Sequence, residues 1–295
     1  MKLQEARRIM EPFKITDGTN FRLKDIDPGD SGPKWLKAAA PELAAANVAA
    51  MGDAQEKLYA QDKWAVLLIF QAMDAAGKDG TIKHVMSGIN PTGVQVFSFK
   101  QPSAEELDHD FLWRTTRCLP EKGRIGIFNR SYYEEALVVR VHPEFLTAQR
   151  LAWQVNTKKF WRKRFEDITT FERHLARNAT IVLKFFLHVS KDEQKRRFLS
   201  RLDEPAKNWK FSAHDVRERE RWNDYMAAYE DMIRETAAPR APWFVVPADH
   251  KWFTHVVVGT AIVDALSELD LAFPTVDAAR RKELAAARAA LQRER

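Results

Sequence analysis

With 295 residues, 45% hydrophobic and 30% charged, the chain can bury a full core, which excludes a disordered polymer and a membrane bundle. Its apolar runs are too short to span a bilayer, and its first fifteen residues lack the apolar core of a secretory signal. The one cysteine, Cys118, cannot form an internal disulfide, so a cytoplasmic globular protein is expected, with a net charge of +6 that favours an anionic partner.

Residues 1–40 are polar and rich in Gly, Pro and Asp (TDGTN, DIDPGDSGP), the pattern of an extended arm. A helix is expected over 41–60 from the spacing of Ala and Leu, and 64–70 (WAVLLIF) reads as a strand buried on both faces. That strand runs into the Gly-containing stretch QAMDAAGKDGTIKHVMSG, which turns into a helix. A second strand is expected over 94–99, a helix over 104–118, and a third strand over 124–128. One or two helices should fill 147–178, followed by a buried strand over 179–189. Ser190 with Glu193 three residues later marks the start of the next helix. A fifth strand (WFVVPAD) and a helix over 255–271 close the domain at about 272, leaving 273–295 as a polar helical tail. Apolar strands alternating with helices predict an α/β fold with a mostly parallel sheet and helices on both faces, and ligands beyond the carboxyl ends of the strands.

Three segments there carry chemistry. Asp74, Ala75, Ala76, Gly77, Lys78, Asp79, Gly80 and Thr81 lie between a buried strand and a helix, where backbone N–H groups and the helix dipole favour an anion. Lys78 adds a positive charge for phosphate. The match to G-x-x-x-x-G-K-[ST] is imperfect: Ala72 replaces the first Gly, and Asp79 replaces the metal-touching hydroxyl residue, so Asp74 or Asp79 is the candidate metal ligand. After the third strand, Arg130 suits bidentate phosphate binding, while Glu134 and Glu135 suit metal binding or proton acceptance. Finally, Lys191 and Lys195, then Arg197 and Arg201, share helix faces at i, i+4 in a helix-loop-helix over 191–221 that suits a lid closing over phosphates. The run KKFWRKR adds five cations in seven residues, a candidate track for a long polyanion. Zinc spacing, a G-x-S-x-G elbow and a dinucleotide fingerprint are all missing, and His84, His188, His214, Trp209, Phe211, Trp222 and Tyr225 read as packing residues.

The strings QAMDAAGKDGTIK, INPTGV, FNRSYYEE with VVRVHPE, KFFLHVSKDEQKRRF and LDEPAKNWKFS occur in an order and spacing that resembles the polyphosphate kinase 2 family over residues 18–270. The resemblance implies a three-layer α/β/α sandwich of the P-loop kinase, thymidylate-kinase-like type, with a mostly parallel five-stranded sheet and a helical lid. It also implies Mg²⁺-dependent, reversible phosphoryl transfer between polyphosphate and AMP, ADP or ATP in a homo-oligomer, dimer or tetramer, with neither nucleic acid nor membrane as partner. Carried over by motif, Asp74, Lys78, Arg130 and Glu134 would be catalytic, residues 75–81 with Arg197 and Arg201 would bind phosphate or polyphosphate, and Asn129, Arg130 and Glu134 would meet the nucleotide. Asp74 and Glu135 would hold metal, with Glu135 standing where many relatives carry Asp. A Glu at position 134 resembles the subgroup that accepts both AMP and ADP. The competing readings are an ATP-dependent nucleoside or nucleotide kinase and a non-catalytic nucleic-acid binder.

Overall fold

The structure, a computed structural model, describes residues 3–152 and 157–294. Helix α1 (Leu3–Met10) leads into the short strand β1 (Lys14–Ile15), then α2 (Leu36–Gln61), β2 (Ala65–Gln71) and α3 (Lys78–Val85). Next come β3 (Val94–Ser98), the short helices α4 (Ala104–Leu107) and α5 (Trp113–Thr116), β4 (Ile125–Asn129) and α6 (Val138–Val141). Then follow α7 (Lys158–Arg177), β5 (Thr180–His188), α8 (Lys191–Asp203), α9 (Ala213–Glu220), α10 (Trp222–Thr236), β6 (Trp243–Pro247), α11 (Lys251–Ser267) and α12 (Ala278–Leu291).

The sheet has six strands in the order β1-β6-β5-β2-β4-β3, parallel except for β1. Five expected strands are therefore joined by a sixth from the segment expected to be only an extended arm. Lys14 and Ile15 pair antiparallel with Phe244 and Trp243 and cover the sheet edge, a two-residue pairing too short to leave a period in sequence. Ala6, Met10 and Phe13 of that segment are buried in the main core, so apolar anchoring, not only Gly and Pro, shapes it.

The expected helix over 104–118 is two short helices instead. Asp110 accepts a hydrogen bond from the Leu112 backbone N–H at 2.9 Å, a local turn that competes with helical pairing. Within the expected helical region 147–178, α7 is observed, and residues 153–156 lie outside the described residues. The tail helix α12 has its N-cap, Asp277, and is exposed throughout. No described helix is long and apolar enough to cross a membrane.

Strand β2 is buried at every position because both faces are covered. Helices α1, α2, α3 and α11 pack together in one layer, and α6, α7 and α10 in the other. Between α7 and the sheet sits a buried polar cluster. Lys184 Nζ on β5 donates to Glu172 Oε2 on α7 at 2.7 Å, to the Thr236 carbonyl at 2.8 Å and to Tyr133 Oη at 3.1 Å. Tyr132 and Tyr133 donate to Glu172 Oε1 at 2.9 and 2.7 Å. Burial pulls the Lys184 ammonium below its ordinary range, and Glu172 opposes that shift.

Every donor of Lys184 is satisfied, so the pair is tolerated, whereas a lone charge in this place is not. Lys184→Met is expected to destabilise the fold by about 3–5 kcal/mol by leaving Glu172 uncompensated. Urea unfolding checks this, and a loss below about 1 kcal/mol would show that the cluster carries little of the stability.

Candidate active site

Parallel register fixes where the site lies. Phe70 pairs with Asn129 and with Phe185, and His188 pairs with Pro247, so β2, β4, β5 and β6 end along one edge. The segments that follow these strands are the phosphate loop, the Arg130 turn, α8 and the stretch Ala248–Asp249, and they meet there.

The loop from Ala72 to Gly77 turns the chain into α3. Gly77 is the N-cap with φ +107°, a left-handed conformation that a side chain would strain, and Ala75 has φ +62°. The backbone of Gly77, Lys78, Asp79, Gly80 and Thr81 forms the start of α3; the Thr81 N–H closes the first turn on the Gly77 carbonyl at 2.9 Å, and the N–H groups before it suit an anion. Lys78 Nζ donates to the Ala72 carbonyl at 2.8 Å, reaching back across the loop. Burial lowers its pKa from the ordinary lysine value, and nearby Arg130 adds to that effect.

Arg130 also has a left-handed backbone, φ +62°, held by its N–H donating to the Phe70 carbonyl at 3.0 Å. Its Nη2 donates to Asp74 Oδ1 at 3.0 Å, and its Nη1 lies 3.7 Å from Glu134 Oε2. The guanidinium thus sits between two carboxylates from different loops. Glu134 raises the Arg130 pKa further, while burial raises that of Glu134 against the opposing pull of Arg130. Asn129 Nδ2 donates to Asp79 Oδ1 at 2.7 Å and ties β4 to the first turn of α3.

Asp74, Arg130 and Glu134 line one cleft of about 180 Å³. Its far wall is built by residues that the sequence left as packing or did not single out: His142, Asp215, Glu218, Tyr225 and Tyr229. His142 stands between two carboxylates, with Nδ1 3.1 Å from Glu144 Oε1 and Nε2 2.9 Å from Glu218 Oε2. Tyr225 Oη donates to the same Glu218 carboxylate at 2.5 Å. Burial raises the Asp215 pKa and Asp74 adds to it, which places the two carboxylates in one field. The i, i+3 spacing of Asp215 and Glu218 was the available signal, hidden in a highly charged helix. Arg201 joins the site through Asp215, at 4.0 Å.

Two expected site residues are placed elsewhere. Glu135, 6% exposed, faces away from the cleft to Arg164 at 3.1 Å and accepts from Gln149 Nε2 at 2.8 Å. That shell leaves it unsuited to share a metal with Asp74. It also turns Arg164 inward from the KKFWRKR run, over Phe111 and Phe160, while Lys158, Lys159, Arg162 and Lys163 stay exposed. Arg197, expected to hold polyphosphate, is 7% exposed and donates to Glu193 Oε1 and to the carbonyls of Ala75, Ala76, Ala248 and Asp249. Those contacts use all five of its N–H donors.

Among the described residues, no three His, Cys, Asp or Glu side chains are grouped to hold a metal by themselves. Asp74, partly exposed in the cleft beside the phosphate loop, fits a cation such as Mg²⁺ that takes one or two carboxylates and completes its shell from phosphates and water.

A phosphate loop entering a helix from a central parallel strand, with an arginine and carboxylates at the neighbouring strand's end, defines a phosphotransferase of the P-loop kinase type. The profile of Polyphosphate kinase 2 (PPK2) matches residues 37–273. The chain is 57% identical over 274 residues to the ADP-polyphosphate phosphotransferase of Rhodopseudomonas palustris, covering 90% of this chain and 94% of that one. It is 43% identical to the AMP/ADP-polyphosphate phosphotransferase of Meiothermus ruber, covering 92% and 98%. The crystal structure of Polyphosphate Kinase 2 from Arthrobacter aurescens TC1 superposes with a TM-score of 0.85 at 39% identity, over 94% of this chain and 96% of that one. The chain belongs to the polyphosphate kinase 2 family.

The Glu134 carboxyl is expected to titrate above the ordinary glutamate range, and replacing Arg130 by Gln, which removes the opposing charge, should move it higher still. Side-chain ¹³C NMR across the acid range checks this. A midpoint unchanged by Arg130→Gln would show that the two groups do not interact.

Proposed function

We propose that the protein transfers the terminal phosphoryl group of inorganic polyphosphate to AMP and ADP, forming ADP and ATP, and catalyses the reverse reaction. The observation that carries this reading is the Arg130 guanidinium poised between Asp74 and Glu134 at the lip of the phosphate loop. The names of the relatives from Rhodopseudomonas palustris and Meiothermus ruber supply the donor and the acceptors. A terminal phosphate oxygen of the nucleotide attacks the end phosphorus of polyphosphate. The bridging P–O bond breaks, and the shortened chain leaves with its electron pair.

Such a reaction needs alignment and charge neutralisation more than covalent help. Within the loop of residues 75–81, the N–H groups not used by the Ala76–Met73 and Thr81–Gly77 bonds hold phosphate oxygens together with Lys78, and Arg130 neutralises charge at the transferred group. Glu134 and Asn129 face the acceptor nucleotide. Arg201 and the exposed cations of α7 extend the positive surface along the donor. Asp74 would hold Mg²⁺ together with substrate phosphates, and the ion would supply further neutralisation there. Dimeric or tetrameric assembly and a cytoplasmic setting complete the proposal, the latter in keeping with substrates that are intracellular nucleotides.

The test is ATP formation by purified protein from long-chain polyphosphate, Mg²⁺ and either AMP or ADP. ATP from both acceptors, only with polyphosphate present, is the expected result. ATP from ADP alone would match the name of the Rhodopseudomonas relative and overturn the use of AMP. Transfer only from ATP to a nucleoside would overturn the donor.

Two substitutions probe the roles. Lys78→Ala should lower kcat by about 100-fold or more, since a charged donor to the reacting phosphates is lost. Near-normal turnover would remove Lys78 from the site. Glu134→Asn should depress the use of AMP more than that of ADP, and equal depression would separate Glu134 from acceptor choice.

A further inference from the structure

A loop that aims N–H groups at phosphate must turn its carbonyls the other way, and each of those needs a partner when buried. Six consecutive carbonyls of this loop have one. Ala72 accepts from Lys78 Nζ at 2.8 Å, Met73 from the Ala76 N–H at 3.2 Å, and Gly77 from the Thr81 N–H at 2.9 Å. The three between are held from outside the loop. Asp74 accepts from Gln194 Nε2 at 2.9 Å, and Ala75 and Ala76 accept from Arg197 Nη1 at 3.0 and 2.7 Å.

Gln194 and Arg197 lie one turn apart on the buried face of α8. A peptide plane is rigid, so capturing the carbonyls of Asp74, Ala75 and Ala76 fixes the N–H directions of Ala75 and Gly77 toward the anion site and that of Ala76 toward the Met73 carbonyl. Arg197 anchors this clamp to the end of β6 through the Ala248 and Asp249 carbonyls at 2.6 and 3.1 Å. Gln194, 1% exposed, links it to the lid, because its Oε1 accepts from Arg219 Nη1 on α9 at 2.8 Å. Arg219 also donates to the Lys191 carbonyl at 2.6 Å. A donor on one side and an acceptor on the other fix the orientation of the amide, and among uncharged side chains of this length glutamine alone supplies both.

We propose that Gln194 and Arg197 are positioning residues for phosphoryl transfer: they hold the phosphate-loop backbone with its N–H groups toward substrate, and Gln194 makes that alignment depend on the docking of lid helix α9 through Arg219. The proposal rests on the reaction assigned above. It gives Arg197 a role other than binding polyphosphate, and it gives Gln194 and Arg219, on the lid's two helices, a shared one.

Gln194→Glu keeps an acceptor for Arg219 but sets a carboxylate oxygen against the Asp74 carbonyl, and Gln194→Met removes both bonds at similar volume. Both variants should lower kcat for polyphosphate-dependent ATP formation by roughly 10- to 100-fold, the usual effect of a small misplacement at the reacting centre. The KM for polyphosphate should stay within about 2-fold, because no donor to the chain is lost. Arg219→Met should lower kcat in the wild-type background and add little to Gln194→Met, as expected of residues acting in one unit. Arg197→Lys, with three donors in place of five, should behave like the Gln194 variants. If Arg197 instead bound the donor, Arg197→Lys would raise the polyphosphate KM and weaken its salt dependence, which would overturn the assignment.

Hydrogen exchange of the amides of residues 75–77, measured on the same proteins, provides a readout independent of turnover. Faster exchange in Gln194→Glu with an unchanged global melting transition is expected. Unchanged kcat per folded molecule, or unchanged loop exchange, in both Gln194 variants would overturn the proposal. Should the wild-type protein make no ATP from polyphosphate, the reaction assignment fails separately. The same variants assayed with ATP as donor then decide the positioning role, because any phosphate donor needs the aligned loop.

Discussion

The peptide unit cannot turn its N–H toward a phosphate without turning a carbonyl away from it, and that constraint organises the site edge of this molecule. Three of the strands ending at that edge contribute to meeting it. The end of β2 supplies the loop, and Lys78, six residues past Ala72, returns to take the first carbonyl. Strand β5 delivers α8, whose inner face supplies two more side-chain clamps. Strand β6 supplies the acceptors that hold the clamp itself. The strand order β6-β5-β2-β4 is therefore the order in which the phosphate loop is supported on one side and faced by Arg130 on the other. Ala75, Gly77 and Arg130 take left-handed backbone at this edge, where the surroundings over-determine it.

Behind the edge, the scaffold is made rigid by different means on its two faces. Helix α11 is buried along almost its whole length and packs on α2 through apolar side chains, with Asn47 Nδ2 donating to Thr260 Oγ1 at 3.1 Å. On the other face, Lys184 and Glu172 form a buried ion pair closed by two tyrosines. Those tyrosines, Tyr132 and Tyr133, directly precede Glu134. The cluster fixes the turn from which Glu134 projects, so one set of hydrogen bonds serves stability and site geometry together.

Much of this was legible in the sequence, because strong signals of strand burial and Gly-rich turns fall where the sheet ends. The five apolar strands, the phosphate loop and the Arg130 turn could be read from local pattern. What could not be read depended on direction. Glu134 and Glu135 are neighbours on one 3-10 turn, where successive side chains diverge by roughly 120°. One carboxylate enters the cleft and the next meets Arg164, and no spacing rule distinguishes them. Arg197 and Arg201 share a face by spacing, yet the depth at which α8 packs buries the first and leaves the second beside Asp215. The far wall, from His142 to Tyr229, is assembled from three separate stretches of chain, so its chemistry exists only in the fold. Strand β1 escaped for a related reason: two residues carry no period, and only the edge of β6 gives them a role.

The charge pattern of the cleft explains how a site for polyanions can be stable before a polyanion arrives. Arg130 is flanked by Asp74 and Glu134, Arg201 approaches Asp215, and His142 lies between Glu144 and Glu218. Clustered cations without such carboxylates would repel one another. Arg130 holds Asp74 at 3.0 Å but Glu134 only at 3.7 Å, so on the Glu134 side a phosphate oxygen can compete for the guanidinium. Arg197 is the contrast, with its five donors committed to fixed acceptors, and it stays with the scaffold. The two arginines thus differ in kind: Arg130 has a long contact open to exchange, and Arg197 has none.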